Sequence, residues 1–416
     1  MKIRRYQYNG LPFVAIVDDF DCPVDPYVSS YLNSLRSKMP NTRLRFAWEL
    51  LFVLKHFGDG KRQIDLVARV ASGKLISMQE YMRFYDQCFL QKNSVDESTV
   101  VLLPSIESKH LRNVISANKR GLAKVSNETA KGRIRRLRQF LEWLYKHFHE
   151  SQNADAVTSD NYHKLISKIK LDEKGIGSNG NQKVGNPEDS VIPDELFAKL
   201  LEMVIPSSPN NPFKSSKVRN YIIVSLLTQT GIRRGAVGKI KISDCQFHGS
   251  YDRISIYKTE NDPSDPRLEK AYQKSKAHLA TIAPALMEKM KFYIDHIRPQ
   301  FSPKQAHDFV LVSEKNSKGT VGQPLSLKSI NAIFKKLSKV LGFHVHPHLM
   351  RHKWNEIFDE EGEKKGVDPA LLEDIRKYAM GWSQNSTMSQ TYNDQRLAVK
   401  VRELSKAHQR RVDSQT

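Results

Sequence analysis

The segment from His346 to Tyr392 contains side chains that could bind and attack a phosphate group. It begins His-Pro-His-Leu-Met-Arg-His, and Pro347 suits the first turn of a helix because its φ is fixed and it has no N–H. A helix that begins there would place His348 and Arg351 on one face, beside backbone N–H groups that attract an anion. The same pattern is also typical of an ordinary surface helix, so the phosphate interpretation depends on residues elsewhere in the chain.

Metal binding is an alternative for a chain with closely spaced histidines. The candidate ligands are His344, His346, His348 and His352. They lack a cysteine and a well-spaced carboxylate partner, and the three cysteines of the chain are widely scattered. We therefore expect no metal site, no cofactor and no disulfide framework, which fits a reducing compartment.

The second half of the chain must supply the elements that position the His346 to Tyr392 segment. Hydrophobic spacing predicts several helices and two strands there. The helices are Pro193–Met203, Val218–Thr228, Leu325–Leu341, one that begins at Pro347, Pro369–Tyr378 and a tail helix Asp394–Gln409. The strands, which should form a hairpin with a long connection that contains proline, are Arg253–Lys258 and Lys276–Ile282.

The first half of the chain also has helical patterning. Apolar residues recur at helical spacing from Pro26 to about Cys88 and from Thr129 to Phe148, with Ser126 and Asn127 as possible caps of the latter helix. Residues 105–150 contain eleven Lys and Arg but only four Glu. Because this surface is so uniformly basic, we expect the following side chains to contact the DNA backbone: Lys131, Arg133, Arg135, Arg136 and Arg138.

At 416 residues the chain is too long for one compact core. The composition between Gly175 and Asn186 is typical of a flexible linker, so we place a domain boundary there. The predicted organisation is an N-terminal arm (1–26), a helical domain (27–150), a linker (151–190), a second domain (191–393) and a basic C-terminal tail (394–416).

The net charge indicates the class of partner. There are 66 Lys and Arg against 45 Asp and Glu, a formal charge of +21, which predicts a polyanion and nucleic acid first of all. The longest apolar runs are too short to span a bilayer, and Met1 to Tyr8 is not followed by the apolar region of a signal peptide. We expect a cytoplasmic protein with no membrane partner, associated in a bacterium with the nucleoid.

Three segments together resemble the catalytic domain of the tyrosine recombinase and phage-type integrase family. They are Thr230-Gly231-Ile232-Arg233, His348-Leu349-Met350-Arg351-His352, and Gly381-Trp382 followed ten residues later by Tyr392. The resemblance extends from Val191 to about Lys406. It implies a mainly α fold with a small β-hairpin in the catalytic domain, and a two-domain DNA clamp in which residues 27–150 are the core-binding domain.

The resemblance also implies roles for the residues that match. Tyr392 would attack a DNA phosphate to give a 3′-phosphotyrosyl link, without metal or ATP. Arg233 and Arg351 would stabilise the phosphate, because guanidinium groups suit two phosphate oxygens. His348 would accept or share the Tyr392 proton, and Trp382 would donate to the phosphate and pack.

The general acid for the leaving 5′-oxygen has three candidates. The family uses a lysine of the β-hairpin, and Lys258 fits best, with Lys274 and Lys276 as competitors across the long connection. A departure from the family pattern is Ala236, where an acid three residues after the first arginine is common. Arg234 could also be confused with the catalytic arginine, although the register favours Arg233.

The function that follows is a site-specific recombinase or integrase of a mobile element, acting as a homotetramer on double-stranded DNA with possible accessory DNA-bending or directionality factors. Type IB topoisomerase or telomere resolvase chemistry would use the same residues. A non-catalytic DNA-binding regulator derived from an integrase is a further alternative. The tail after Tyr392 could pack on a neighbouring protomer or on its own domain.

Overall fold

The computed structural model describes residues 1–9, 11–58, 63–91, 124–150, 155–177, 191–247, 252–259, 262–273, 275–301, 307–316 and 319–386. The chain divides into two compact units, Met1–Lys183 and Val184–Thr416. Among the described residues, no helix is both long enough and apolar enough to cross a membrane. The predicted tail helix Asp394–Gln409 lies outside the described residues.

The first unit consists of an antiparallel β-ribbon and a set of helices. Strand β1 (Lys2–Tyr8) pairs with β2 (Leu11–Val17). The helices are α1 (Pro26–Ser34), α2 (Pro40–Phe57), α3 (Leu66–Ala71), α4 (Met78–Cys88), α5 (Asn127–Phe148) and α6 (Ala156–Gly175). Ile16 of β2 is buried in the helical core, so the N-terminal arm predicted from sequence is a ribbon attached to this unit.

Helix α5 lies at the centre of this unit and follows its sequence signals closely. The Ser126 side chain accepts a hydrogen bond from the Thr129 N–H, as expected of an N-cap. Its apolar residues at helical spacing, including Ile134, Leu137 and Leu141, are fully buried. Helices α2, α3, α4 and α6 all contact α5, which explains why that stripe is so completely covered.

The second unit is mainly helical with one small sheet, as predicted. Its helices are α7 (Asp194–Val204), α8 (Lys217–Thr230), α9 (Arg234–Val237), α10 (Pro284–Phe292), α11 (Leu327–Leu341), α12 (Pro347–Lys364) and α13 (Pro369–Ala379). Helix α8 is buried on nearly all sides, because every residue from Ile222 to Leu227 is buried. Helix α12 packs directly against α8.

The sheet is antiparallel in the order β3 (Cys245–Gln246), β4 (Arg253–Ile256) and β5 (His278–Thr281). The predicted hairpin is therefore present, but both strands are shorter than predicted. Ile256 pairs with His278 at the end of the ladder, so Lys258 and Lys276 lie just beyond it. The long connection between β4 and β5 leaves the sheet at this point.

Candidate active site

The turn that contains Arg233 is fixed by helix α12. Helix α8 ends at Gly231, whose φ of 60° favours glycine, and a Cβ there would lie 2.9 Å from the Trp354 ring. Arg351 Nη1 donates to the Gly231 carbonyl at 2.7 Å, and Trp354 Nε1 donates to the Gln229 carbonyl at 2.9 Å. Two side chains of α12 thus hold the segment that presents Arg233.

The start of α12 agrees with the sequence prediction. Pro347 occupies the first turn, and the ring of the N-cap residue His346 accepts a hydrogen bond from the Leu349 N–H through Nδ1 at 3.2 Å. His346 thus has a helix-capping role. No group of three potential metal ligands occurs among the side chains that the structure describes.

Arg351 and Trp382 lie against each other in the interior of the site. The Arg351 guanidinium carbon is 5.4 Å from the centre of the Trp382 ring, a cation–π arrangement. Arg351 is 2% exposed and Trp382 7% exposed. Trp382 also packs with Met380 and Trp354, so the indole supports the arginine and the turn that α12 holds.

His348 is a neutral imidazole at neutral pH. Burial lowers its pKa to about 4, and the positive charges of His352, Arg351, His346 and Arg233 act in the same direction. The His348 and His352 rings have centres 4.7 Å apart. A neutral histidine under the influence of both arginines can accept a proton, which an imidazolium could not do.

Gly381 joins the sheet to Trp382. Its φ is 61°, and its carbonyl accepts a hydrogen bond from the Lys276 N–H at 2.7 Å. A Cβ at Gly381 would lie 2.5 Å from Nδ1 of His278. Only glycine therefore lets the start of β5 approach the Trp382 turn so closely.

His278 is a buried group of this site that the sequence did not indicate. It is 8% exposed; its Nδ1 lies 3.0 Å from the Lys276 carbonyl, and its buried Nε2 has no hydrogen-bond partner among the described residues. Burial lowers the pKa of His278, and the nearby charges of Arg351 and Arg233 lower it further. In the sequence, its strand position next to Lys276 was the one available signal.

The two adjacent arginines of the turn point in different directions. Arg234 Nη1 donates to the Asn331 side chain of α11 at 2.5 Å. Arg233 Nη1 donates to the Ser275 hydroxyl at the start of the β5 segment. Arg233 is therefore the arginine directed toward the segment that leads into β5.

The predicted lysines lie at the end of the β4–β5 hairpin from which the long connection leaves the sheet. Lys258 and Lys276 are both exposed, while Lys274 lies outside the described residues. A lysine that the sequence reasoning missed, Lys239, is buried and donates to the Tyr257 carbonyl at 2.8 Å; burial lowers its pKa to about 8. Lys239 thus fixes the backbone immediately before Lys258. Tyr392 also lies outside the described residues.

The arginines of α5 that were predicted to contact DNA form hydrogen bonds within the first unit. Their hydrogen bonds run from Arg133 to the Cys88 and Leu90 carbonyls, from Arg136 to Glu49 and Tyr31, and from Arg135 and Arg138 to Glu173. Arg136 is 1% exposed and lies over the Phe46 ring at 3.5 Å. Arg136 therefore packs inside the bundle, which argues against the DNA contact predicted for it, whereas Lys131 is half-buried.

Known proteins resemble parts of this chain. Residues 198–398 match the model of the phage integrase family. Transposase A from transposon Tn554 of Staphylococcus aureus is 28% identical over 134 residues, which are 32% of this chain and 34% of that protein. The chain thus spans about a third of the length of this relative. A tyrosine recombinase of Pseudothermotoga lettingae is 22% identical over 305 residues, 73% of this chain and 81% of that protein.

Two solved structures align with much of the chain at TM-scores below 0.5. The Tn1549 transposon integrase in complex with circular intermediate DNA has a TM-score of 0.41 at 12% identity, covering 78% of this chain and 94% of that one. XerH recombinase bound to its palindromic difH substrate has a TM-score of 0.40 at 16% identity, covering 83% and 96%. Residues 198–398, which include Arg233, His348, Arg351 and Trp382, thus match the phage integrase family, and this part of the chain resembles the tyrosine recombinases.

Proposed function

We propose that this protein is a site-specific DNA recombinase that cleaves and rejoins strands through a covalent bond to Tyr392. The observation that supports this most directly is the convergence of Arg233, Arg351 and His348. Arg351 binds the Gly231 carbonyl two residues before Arg233, and both arginines lower the pKa of His348. Two permanent cations can stabilise the negative charge of a phosphodiester, and the neutral base beside them can accept the proton of an attacking hydroxyl.

The proposed reaction is a transfer between two esters. The Tyr392 oxygen attacks phosphorus and gives its proton to His348, while the bond from phosphorus to the 5′-oxygen breaks. The 5′-oxygen leaves as a hydroxyl after receiving a proton, and the 3′-phosphate stays on Tyr392. Rejoining reverses these steps with a 5′-hydroxyl as nucleophile, so the reaction needs neither ATP nor metal to conserve the bond.

Arg233 and Arg351 would stabilise the negative charge of the pentacoordinate phosphate. Trp382 holds the Arg351 guanidinium at 5.4 Å from its ring. We assign the general acid to Lys258, with Lys276 and Lys274 as alternatives at the other end of the connection. A substrate with a 5′-thio leaving group, which needs no proton, distinguishes them, because it rescues cleavage only when the true acid is replaced by alanine.

The proposed substrate is double-stranded DNA at the ends of a mobile element. The +21 net charge supports a DNA partner, and relatives include transposon proteins. We further propose assembly as a homotetramer on two duplexes, with residues 394–416 as a segment that packs on a neighbouring protomer. Accessory DNA-bending factors and a location at the bacterial nucleoid belong to the same proposal.

The test is a suicide substrate, a nicked duplex whose short cleaved fragment diffuses away and traps the covalent complex. The full chain should give a protein–DNA adduct on a denaturing gel, and Tyr392→Phe should bind the DNA but give none. Tyr378→Phe is the matched control, because Tyr378 lies on the same unit, in α13, and is 68% exposed. An adduct in Tyr392→Phe would overturn the proposal.

The products then define the reaction class. A plasmid with two sites should yield recombinant junctions if the protein is a recombinase. Relaxed circles without junctions would indicate a topoisomerase, and hairpin ends would indicate a telomere resolvase. DNA binding without any adduct in the unmodified chain would indicate a regulator.

A further inference from the structure

The connection between β4 and β5 is a packed part of the second unit. We call residues 262–273 together with Ser275 the inserted segment. Arg267 Nη1 donates to the Gly238 carbonyl at 2.8 Å and to the Leu325 carbonyl at 2.7 Å, and its guanidinium pairs with Asp265 at 2.8 Å. Asp265, at 2% exposure, is itself buried. These contacts hold the described residues of this long connection in place.

A second set of contacts holds the beginning of the inserted segment. Lys241 Nζ lies 2.7 Å from the Asp262 carboxylate, and Lys270 Nζ donates to the Asp262 carbonyl at 2.9 Å. Lys270 and Asp262 are both buried. The ion pair of Lys241 with the buried Asp262 carboxylate fixes this end of the segment in one arrangement, since removal of Lys241 would take away the charge that it pairs with.

Helix α9 is shaped to receive the inserted segment. A Cβ on Gly235 would lie 2.4 Å from the Tyr272 carbonyl oxygen, which real Cβ atoms do not tolerate. A Cβ on Gly238 would lie 2.8 Å from the Leu327 side chain and 3.6 Å from the Ala271 Cβ. The backbone of the inserted segment therefore rests directly on the small residues that follow Arg233.

The inserted segment ends at the catalytic arginine. Ser275 is buried, and its hydroxyl oxygen accepts a hydrogen bond from Arg233 Nη1. The next residue, Lys276, donates its N–H to the Gly381 carbonyl beside Trp382. Two consecutive residues, Ser275 and Lys276, thus contact Arg233 and the turn before Trp382, respectively.

We propose that Ser275 is a positioning residue for Arg233, and that the inserted segment sets the orientation of this arginine toward the scissile phosphate. A hydroxyl orients the guanidinium through a hydrogen bond without adding a negative charge beside it. The inference rests on the proposed function. A serine that merely fills space would affect stability but not the response to phosphate charge.

The test compares Ser275→Ala with the unmodified chain in single-turnover cleavage of the suicide substrate. The scissile group is either the normal phosphate or a methylphosphonate, which has lost one negative oxygen and depends less on a well-placed cation. Ser275→Ala should slow cleavage of the phosphate by about tenfold, the effect of a hydrogen bond to a charged group, with DNA affinity unchanged. The loss should be clearly smaller on the methylphosphonate.

Two further variants separate positioning from packing. Ser275→Thr keeps the hydroxyl and should cleave the phosphate substrate well, whereas Ser275→Val has a similar shape without it and should resemble Ser275→Ala. Ser264→Ala is the matched control within the inserted segment. The Ser264 hydroxyl accepts from Lys241 at 2.9 Å and donates to Asp262 at 2.7 Å, and is not a partner of Arg233.

The outcomes are distinct. Wild-type rates in a folded Ser275→Ala protein, or an equal loss on both substrates, would overturn the positioning role. A loss in Ser264→Ala that matches Ser275→Ala would overturn the specific role of the Ser275 hydroxyl, because it would assign the effect to the packing of the inserted segment. Failure of the unmodified chain to form any Tyr392 adduct would instead refute the proposed function.

Discussion

At the scale of single residues, His348 makes the proposed chemistry sensitive to pH in an unusual range. Burial lowers its pKa to about 4, with the charges of His352, Arg351, His346 and Arg233 acting in the same direction. The neutral base is therefore present above this pKa and is lost only as pH falls through it. We expect kcat/KM for cleavage, which reports the free enzyme, to be flat from about pH 8 to about pH 5.5.

The measurement is single-turnover adduct formation at subsaturating protein over that pH range. The control is His348→Asn, which should be slow at every pH. An inflection near 6.5 in the unmodified chain that disappears in His348→Asn would show that His348 titrates as an ordinary histidine, and would contradict the electrostatics of the site.

Arg233, His348, Arg351 and Trp382 are assigned from sequence because they match segments of the recombinase family, and their catalytic roles stay a prediction. The His348 to Arg351 interval is set by one helical turn after Pro347. Ser275 could not be predicted in this way. Its contact with Arg233 spans 42 residues and depends on how the inserted segment packs on α9, which no local periodicity encodes.

At the scale of elements, helix starts were more predictable than the ends of strands. Pro347 and Ser126 mark real starts because capping is a local interaction. The N-terminal ribbon was not predicted, although the turn residue Asn9 has a φ of 50° and precedes Gly10 in the sequence, a dipeptide typical of hairpins. The alternation of polar and apolar residues that marks a strand is obscured, because β2 consists almost entirely of apolar residues. One of these, Ile16, is buried in the helical core.

The packing of the inserted segment on α9 predicts the effect of Gly235→Ala. The new Cβ would meet the Tyr272 carbonyl oxygen at 2.4 Å, a backbone atom that cannot rotate away. Displacing the inserted segment should destabilise the second unit by about 1–3 kcal/mol and slow cleavage through Arg233. Calorimetric melting together with the suicide-substrate assay measures both effects.

Gly175→Ala is the control for Gly235→Ala. Gly175 is the last residue of helix α6, and a Cβ added there would meet no atom of the described residues within 4 Å. This variant should leave both the melting temperature and cleavage close to those of the unmodified chain. Unchanged melting and cleavage in Gly235→Ala would show that α9 and the inserted segment are not closely packed in solution.

At the scale of the whole molecule, the charge of the chain indicates a polyanionic partner but does not identify the basic side chains that contact it. The +21 net charge includes basic side chains that serve the fold. Arg135 and Arg138 both pair with Glu173, and Arg136 pairs with Glu49. Such pairing joins residues more than thirty positions apart, so a count of basic residues along α5 could not reveal it.

This distinction can be measured through the salt dependence of DNA binding. Each phosphate contact that is lost should reduce the slope of log K against log salt by about one. We expect Lys131→Ala to reduce the slope, and Arg136→Ala to leave it unchanged while lowering stability by about 3 kcal/mol, because the half-buried Glu49 would keep only the more distant Arg45 as a partner. Fluorescence anisotropy at several salt concentrations and thermal melting provide the two readouts. A reduced slope with unchanged stability in Arg136→Ala would show that this arginine binds DNA, which its burial in α5 argues against.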